Sequence, residues 1–349
     1  MNGVCHAQTD STKPHLRAKY FKYKKSLPDL SIELWSDYNL KFQPDVSLRS
    51  RAVVVLQEAT LEHGRFEYSA ITRRPKWELP HGARIAVWIT PNVEHFHYDK
   101  PAMSMTPMTA GLRPDVLNYA WRDYGVRVGI WRLMEILDRQ GFVATAALNS
   151  EACLHYPAII EEGNKLHWEW MAHGENNSSL HTGMPEEAER GVIKNVIDTI
   201  AHGTGKKPRG WLGPALTETD NTLDLLAEAG IDYVADWCND EQPYAMRTRK
   251  GSIIALPYTL EIGDIPVFLQ HGGSGEDFER MIVDQFDTLY EEGQTQPRVL
   301  SIALHPFLIG HPFRARYLER ALAHIRKHDA VWITTGSAIT DWYGSKSLS

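Results

Sequence analysis

Residues 84–95, RIAVWITPNVEH, run from an arginine through six apolar or β-branched positions into asparagine, glutamate and histidine. A short continuous apolar run of this length, closed by a proline and polar groups, reads as a strand buried on both faces. The same grammar returns along the chain. FVATAALN (142–149), HWEWMAH (167–173), PRGWLGP, IDYVADW, SIIALPYTLEI, RVLSIALH and AVWITTG are further apolar runs. Between them stand segments with helical spacing and helical punctuation. VGIWRLMEILDRQG (128–141) is amphipathic and ends on glycine; PEEAERGVIKNVIDTIAHGTG (185–205) opens on proline and acids and ends on glycine. NTLDLLAEAG, EDFERMIVDQFDTLYEEG and YLERALAHIRKHD complete the alternation. Six or seven strands alternating with helices predict an α/β fold with a parallel sheet, open or closed into a barrel.

Residues 1–75 break this rhythm. KYFKYKKS (19–26) is basic and aromatic, and the apolar run RAVVVL (51–56) stands alone. The segment reads as an N-terminal extension and a candidate subunit-contact arm, which makes a homo-oligomer the expected assembly. The barrel domain is expected over 76–349.

Composition excludes several classes. The chain has 349 residues, 43% of them hydrophobic and 23% charged, enough apolar material for a full core. A net charge of −7 argues against a nucleic-acid partner. No run approaches the ~20 apolar residues of a membrane span, and the N-terminus lacks the apolar core of a signal peptide. Cys5, Cys153 and Cys238 are too few and too far apart for a disulfide framework or a zinc ribbon, and read as buried free thiols. A cytoplasmic protein with a small-molecule partner, and neither nucleic acid nor membrane, is expected.

In parallel α/β folds the site gathers at the carboxyl ends of the strands. Here those ends are polar one after another. Asn92, Glu94 and His95 follow the first; Asn149 the second; His173, Asn176, Asn177 and His181 the third. IDYVADW contributes Asp236, and Asn239, Asp240 and Glu241 follow it; Tyr258 and Glu261 follow SIIAL; His305 closes RVLSIALH. Convergence of so many strands on one polar ring predicts a catalytic site. His97, His155, His202, His324 and His328 fall in loops or helices and read as surface residues.

The set ITPNVEH, EWMAHGENN, GWLGP, YVADWCNDEQPY, LPYTLEIGD and LSIALHPFLIGHPFRA resembles the polysaccharide deacetylase superfamily (NodB homology domain). Within it the likeness is closest to the allantoinase and cyclic-imide hydrolase branch, and it runs from about Arg84 to Trp342. The resemblance implies a distorted (β/α) barrel with about seven parallel strands. It also implies where the chain departs from metal-dependent deacetylases. Their Asp-x-Asp stands here as Asn92 and Glu94; their His-x-x-x-His as His173 and Asn177. The arginine of their third motif is absent from Trp211–Pro214, whereas the Leu-His motif is intact as Leu304–His305.

Those changes redirect the chemistry. Asn92 cannot accept a proton, so Glu94 becomes the expected base, its pKa raised toward neutrality by burial. His305 would protonate the leaving nitrogen, while His173 and Asn177 would polarise the carbonyl. Asn92, Asn177, Trp211, Trp237, Asp240 and Tyr258 are the expected substrate-binding residues. Trp88 and Trp170 are read as either barrel core or ligand platform. No cofactor is favoured; otherwise one divalent metal such as zinc would sit on Glu94, His173 and Asn177, with His181 as a further imidazole. The leading reading is hydrolysis of a C–N amide bond in a small cyclic or ureide-like substrate. Metal-dependent deacetylation of an N-acetylated sugar and a non-catalytic ligand-binding barrel are the alternatives.

Overall fold

A computed structural model describes residues 63–99 and 108–347. The chain divides into Met1–Thr60 and Leu61–Ser349. The first unit, with KYFKYKKS, RAVVVL, Cys5 and most of the expected subunit-contact arm over 1–75, lies outside the described residues.

Among the described residues nine strands form the sheet: β1 (Ile85–Val93), β2 (Thr145–Leu148), β3 (Glu169–Ala172), β4 (Gly210–Trp211), β5 (Tyr233–Val234), β6 (Tyr244–Thr248), β7 (Gly251–Ala255), β8 (Arg298–Leu304) and β9 (Val331–Ile333). Their order is β6-β7-β5-β4-β3-β2-β1-β8, with β9 on the lower half of β1. Every ladder is parallel except the β6–β7 hairpin. The sheet curls until β8 approaches β7, where single bonds replace a ladder. Val299 donates its backbone N–H to Glu241 O, and Ser301 to Thr259 Oγ1. Trp88 Nε1 donates to Pro257 O at 3.2 Å. The result is the distorted barrel that the sequence predicts, with two strands more than about seven. One of these, β6, carries a single buried side chain, Met246, so it offers no apolar run to read.

Alternation along β1 divides the core in two. Ile85, Val87 and Ile89 face the helical layer. Ala86 and Trp88 face the barrel interior with Ala147, Met171, Leu212, Tyr233 and Leu256. All nine residues of β1 are buried, as a parallel strand between two packed layers requires. Trp88 and Trp170 are therefore core. Each fully buried large apolar side chain contributes about 1.5–3 kcal/mol.

Among the described residues ten α-helices cover the outside: α1 (Val116–Tyr124), α2 (Ile130–Gln140), α3 (Ser150–His155), α4 (Pro157–Lys165), α5 (Glu186–Thr204), α6 (Thr222–Ala229), α7 (Gly275–Glu292), α8 (Pro306–Ile309), α9 (Pro312–Ile325) and α10 (Gly336–Ser347). The expected caps are present. Gly141, Gly205 and Gly230 end α2, α5 and α6 in the left-handed region, where a Cβ is strained. Ser274 and Asp277 form a capping box on α7. The helix predicted to begin near Val128 continues α1 through a wide π turn, Gly125–Gly129. The glycines there allow close approach: a Cβ on Gly129 would lie 2.0 Å from Pro306 O, directly after β8.

Residues 63–77 lie against strands and loops of the barrel. Arg65 binds Asp224 at 3.0 Å, Phe66 meets Trp237 and Tyr244 edge-on, and Arg74 clasps Asp240 with two hydrogen bonds. Among the described residues no helix is long and apolar enough to cross a membrane. Cys153 is buried, and its thiol is pushed up to about 11 by that burial; Cys238, expected to be buried, is exposed, because it stands in the loop after β5.

Candidate active site

The strand-end rule holds in three dimensions. Glu94 follows β1, Asn149 follows β2, His173 follows β3, Trp211 ends β4 and His305 follows β8. Since β3, β2, β1 and β8 are neighbours in that order, their ends deliver adjoining side chains. Glu94 sits at the centre. Its Oε1 lies 3.5 Å from His173 Nε2 and 3.8 Å from His305 Nε2, and it accepts a hydrogen bond from Asn177 Nδ2.

Each partner is itself held. His173 Nδ1 lies 2.7 Å from the Leu212 carbonyl, so that nitrogen carries the proton and Nε2 is the atom facing Glu94. Asn177 Oδ1 accepts from Asn149 Nδ2 at 3.0 Å, which turns the amide nitrogen toward the carboxylate. His305 is gripped by Asp264, which was not foreseen. Asp264 Oδ1 is 2.7 Å from His305 Nδ1, and Oδ2 accepts the His305 backbone N–H at 2.6 Å.

The electrostatics correct one expectation. Burial does push the Glu94 carboxyl up, but the charge of His305, the hydrogen bond and charge of His173, and the Arg122 guanidinium outweigh it. The net position is below the ordinary carboxylate range, so Glu94 is ionised rather than poised near neutrality. His305 moves the other way. Burial lowers its pKa, while Asp264 and Glu94 raise it further than burial depresses it. The pair is a carboxylate facing an imidazolium.

Arg122 is a second unforeseen member. It lies on α1 and covers the Phe96 ring at 4.3 Å. A positive charge thus reaches the site from a helix, a place that a search of strand ends passes over.

The structure places the other expected residues less uniformly. Trp211 is fully buried, with its ring edge-on to His181 at 5.4 Å and its Nε1 without a protein partner. Asn92 and Tyr258 are buried together, but Asn92 Nδ2 donates to the Thr90 and Leu304 carbonyls and lies 3.5 Å from the Tyr258 hydroxyl. It joins β1 to β8. Trp237 and Asp240 make their contacts elsewhere. Trp237 packs on His63 and Phe66 and donates to Glu218, and Asp240 is committed to Arg74. His181 is buried, and burial together with His173 holds it down to about 4. Glu261 is exposed.

The polysaccharide deacetylase family profile matches residues 120–234. A candidate polysaccharide deacetylase of Schizosaccharomyces pombe is 27% identical over 241 residues, covering 64% of this chain and 75% of its own. The crystal structure of a polysaccharide deacetylase candidate from Pseudomonas aeruginosa PAO1 superposes with a TM-score of 0.72 at 29% identity, over 83% of this chain and 98% of that one. That of Puue allantoinase superposes with a TM-score of 0.72 at 26% identity, over 83% of this chain and 97% of that one.

Over residues 120–234 the chain carries the polysaccharide deacetylase signature. It stands among hydrolases of carbon–nitrogen bonds other than peptide bonds.

Catalytic zinc takes three protein ligands as a rule, from imidazole, thiolate and carboxylate. Glu94 and His173 qualify. Asn177 presents an N–H donor to Glu94, and its oxygen is held by Asn149. Among the described residues, the groups in which three ligand atoms lie within 4.8 Å of one another are His95–His97–Glu151 and Asp287–His324–His328. Neither contains Glu94 or His173, and His181 does not complete a set with them. The residues at the strand ends do not fit the metal of that family.

Proposed function

We propose that the chain hydrolyses the C–N amide bond of a small cyclic or ureide-like substrate without a catalytic metal. The observation that carries this reading is Asn177 Nδ2 donating to Glu94. Where a metal-dependent deacetylase needs a ligand, this site has a donor that positions a carboxylate.

The chain's own groups then divide the work. The Glu94 carboxylate takes a proton from water. His173, tied through Nδ1 to the Leu212 carbonyl, presents Nε2 3.5 Å from Glu94 Oε1 and holds that carboxylate in place. Asn177 positions the base instead of stabilising the oxyanion. His305, kept protonated by Asp264, supplies a proton to the leaving nitrogen across the site. Trp211, fully buried with Nε1 unpartnered, backs the site at the end of β4 rather than reaching the substrate. The partner is the small substrate itself.

A panel of cyclic amides, ureides and N-acetylated sugars, each with and without chelator, tests the reading. Turnover of a cyclic amide or ureide that persists in chelator supports it. Turnover confined to N-acetylated sugars and abolished by chelator replaces it with metal-dependent deacetylation.

A further inference from the structure

Three histidines expected to lie idle at the surface, with a fourth beside Glu94, occupy two clusters with carboxylates. His324 on α9 and His328 just past its end flank Asp287 of α7, and both histidine side chains are about one third exposed. The other cluster is more closely built. His97 Nε2 lies 2.8 Å from Glu151 Oε2, and His95 Nε2 lies 3.6 Å from the same oxygen. All three atoms fall within 4.8 Å of one another.

We propose that His95 Nε2, His97 Nε2 and Glu151 Oε2 form a divalent transition-metal site that ties the segment after β1 to α3, separate from the Glu94 centre. Ligand atoms around a tetrahedral zinc ion stand about 3.3 Å apart, given zinc–nitrogen and zinc–oxygen distances near 2.0–2.1 Å. The two separations at Glu151 bracket that spacing. Imidazole and carboxylate are ligands suited to zinc or cobalt.

The outward atoms of the cluster make the stronger argument. His95 Nδ1 meets the Tyr156 hydroxyl at 2.9 Å, which points the opposite nitrogen inward. Glu151 Oε1 accepts from Asn176 Nδ2 at 2.7 Å, which leaves Oε2 for the cluster. Ser178 Oγ fixes the His97 backbone N–H at 2.9 Å, and Asn176 Oδ1 in turn holds the Ser178 N–H. Ligating groups whose far sides are anchored in this way are the mark of a metal site, and removing such partners weakens binding by about 10–100-fold. His155 stacks on His95 with ring centroids 4.3 Å apart and fixes the plane of that imidazole. The clustered polar residues of GENNSS are thereby accounted for: Asn176 and Ser178 serve this site, and Asn177 serves Glu94.

The full chain is stripped with chelator and titrated with zinc chloride and cobalt chloride by calorimetry, with circular dichroism confirming the fold of each variant. One equivalent is expected to bind, and the cobalt form should show visible bands of low-symmetry nitrogen and oxygen coordination. His97→Ala and Glu151→Gln should each weaken binding by at least 10-fold, and Tyr156→Phe by a smaller factor. His328→Ala and Glu94→Gln should retain the equivalent. Absence of binding to the folded wild type at micromolar zinc overturns the proposal. So does binding that survives His97→Ala and Glu151→Gln, or that is lost instead in His328→Ala or Glu94→Gln. If His97→Ala does not fold, His97→Gln and the cobalt spectrum of the wild type carry the test.

Discussion

Asp264 holds His305 at two points, accepting the backbone N–H at 2.6 Å on one oxygen and meeting Nδ1 at 2.7 Å with the other. Asp264 is fully buried, so neither bond is shared with solvent. The arrangement fixes the tautomer, leaving Nε2 to face Glu94, and stabilises the charged ring. Asp264→Asn keeps the shape but removes the charge and the certainty of the tautomer. Turnover should fall by about 100-fold or more, the scale of lost acid–base assistance, while KM changes little. Steady-state kinetics on the identified substrate check this; a parallel collapse of the melting temperature would reassign Asp264 to structure.

Glu94→Gln and His305→Ala should each lower turnover by at least ~100-fold with the fold preserved. Near-native rates in both variants, at unchanged circular dichroism, would remove the centre from the reaction.

The two pKa shifts set the form of the pH profile. Glu94 lies below the ordinary carboxylate range and His305 above the ordinary imidazole value. Activity needs the carboxylate ionised and the imidazole protonated, so it should be flat between these limits and fall on the alkaline side as His305 loses its proton. Removing the negative charge in Asp264→Asn lowers the His305 pKa, and the alkaline limb should move to lower pH. Stability follows the same signs. The Glu94 contribution is present above its unfolded pKa and lost as pH falls through the lowered folded value. The His305 contribution is complete below its unfolded pKa and lost as pH rises through the raised folded value. Rate profiles and thermal melts across pH read both; an alkaline limb unmoved in Asp264→Asn would show that another group titrates there.

What the sequence revealed and what it hid have physical causes. Apolar runs and strand ends located Glu94, His173 and His305, because a parallel sheet forces its loops into one rim. Asp264 escaped because it lies in the loop nine residues past the end of β7, where no periodicity tells the exposed Glu261 from the buried Asp264. Arg122 escaped because it comes from a helix. Position alone puts Trp237 and Asp240 at the substrate, whereas in the structure they pack against Phe66 and Arg74 of residues 63–77. The direction of the Glu94 shift was misjudged for a related reason: burial is legible in an apolar run, but the opposing charges of His305 and Arg122 arrive from elsewhere in the chain.

The closeness of the Gly125–Gly129 turn to the start of α8 should be felt at the site. Gly129→Ala would drive a methyl group into the Pro306 carbonyl, one residue from His305. Backbone on both sides makes this contact costly to relieve. Destabilisation of about 1–3 kcal/mol is expected, with reduced turnover as His305 shifts. Denaturant unfolding and kinetics on the same preparation measure both effects; an unchanged midpoint would mean that the two segments separate freely.

Asn177→His tests why the centre is built around a hydrogen-bond donor. The backbone N–H of residue 177 is anchored to His95 O at 3.0 Å, so the side chain there should still point toward Glu94. A histidine would replace an amide with an imidazole able to ligate through nitrogen. Together with Glu94 and His173 it restores three ligands of the types zinc prefers. Zinc affinity at this centre should therefore rise by at least 10-fold, seen in calorimetry as an equivalent that the wild-type protein lacks and that Glu94→Gln abolishes. Measuring in a His97→Ala background separates it from binding at His95 and Glu151. The same change removes the donor that positions Glu94, so metal-independent turnover should fall. If the wild type already holds zinc tightly through Glu94 and His173, the added histidine gains nothing, and Glu94 is a ligand rather than the base.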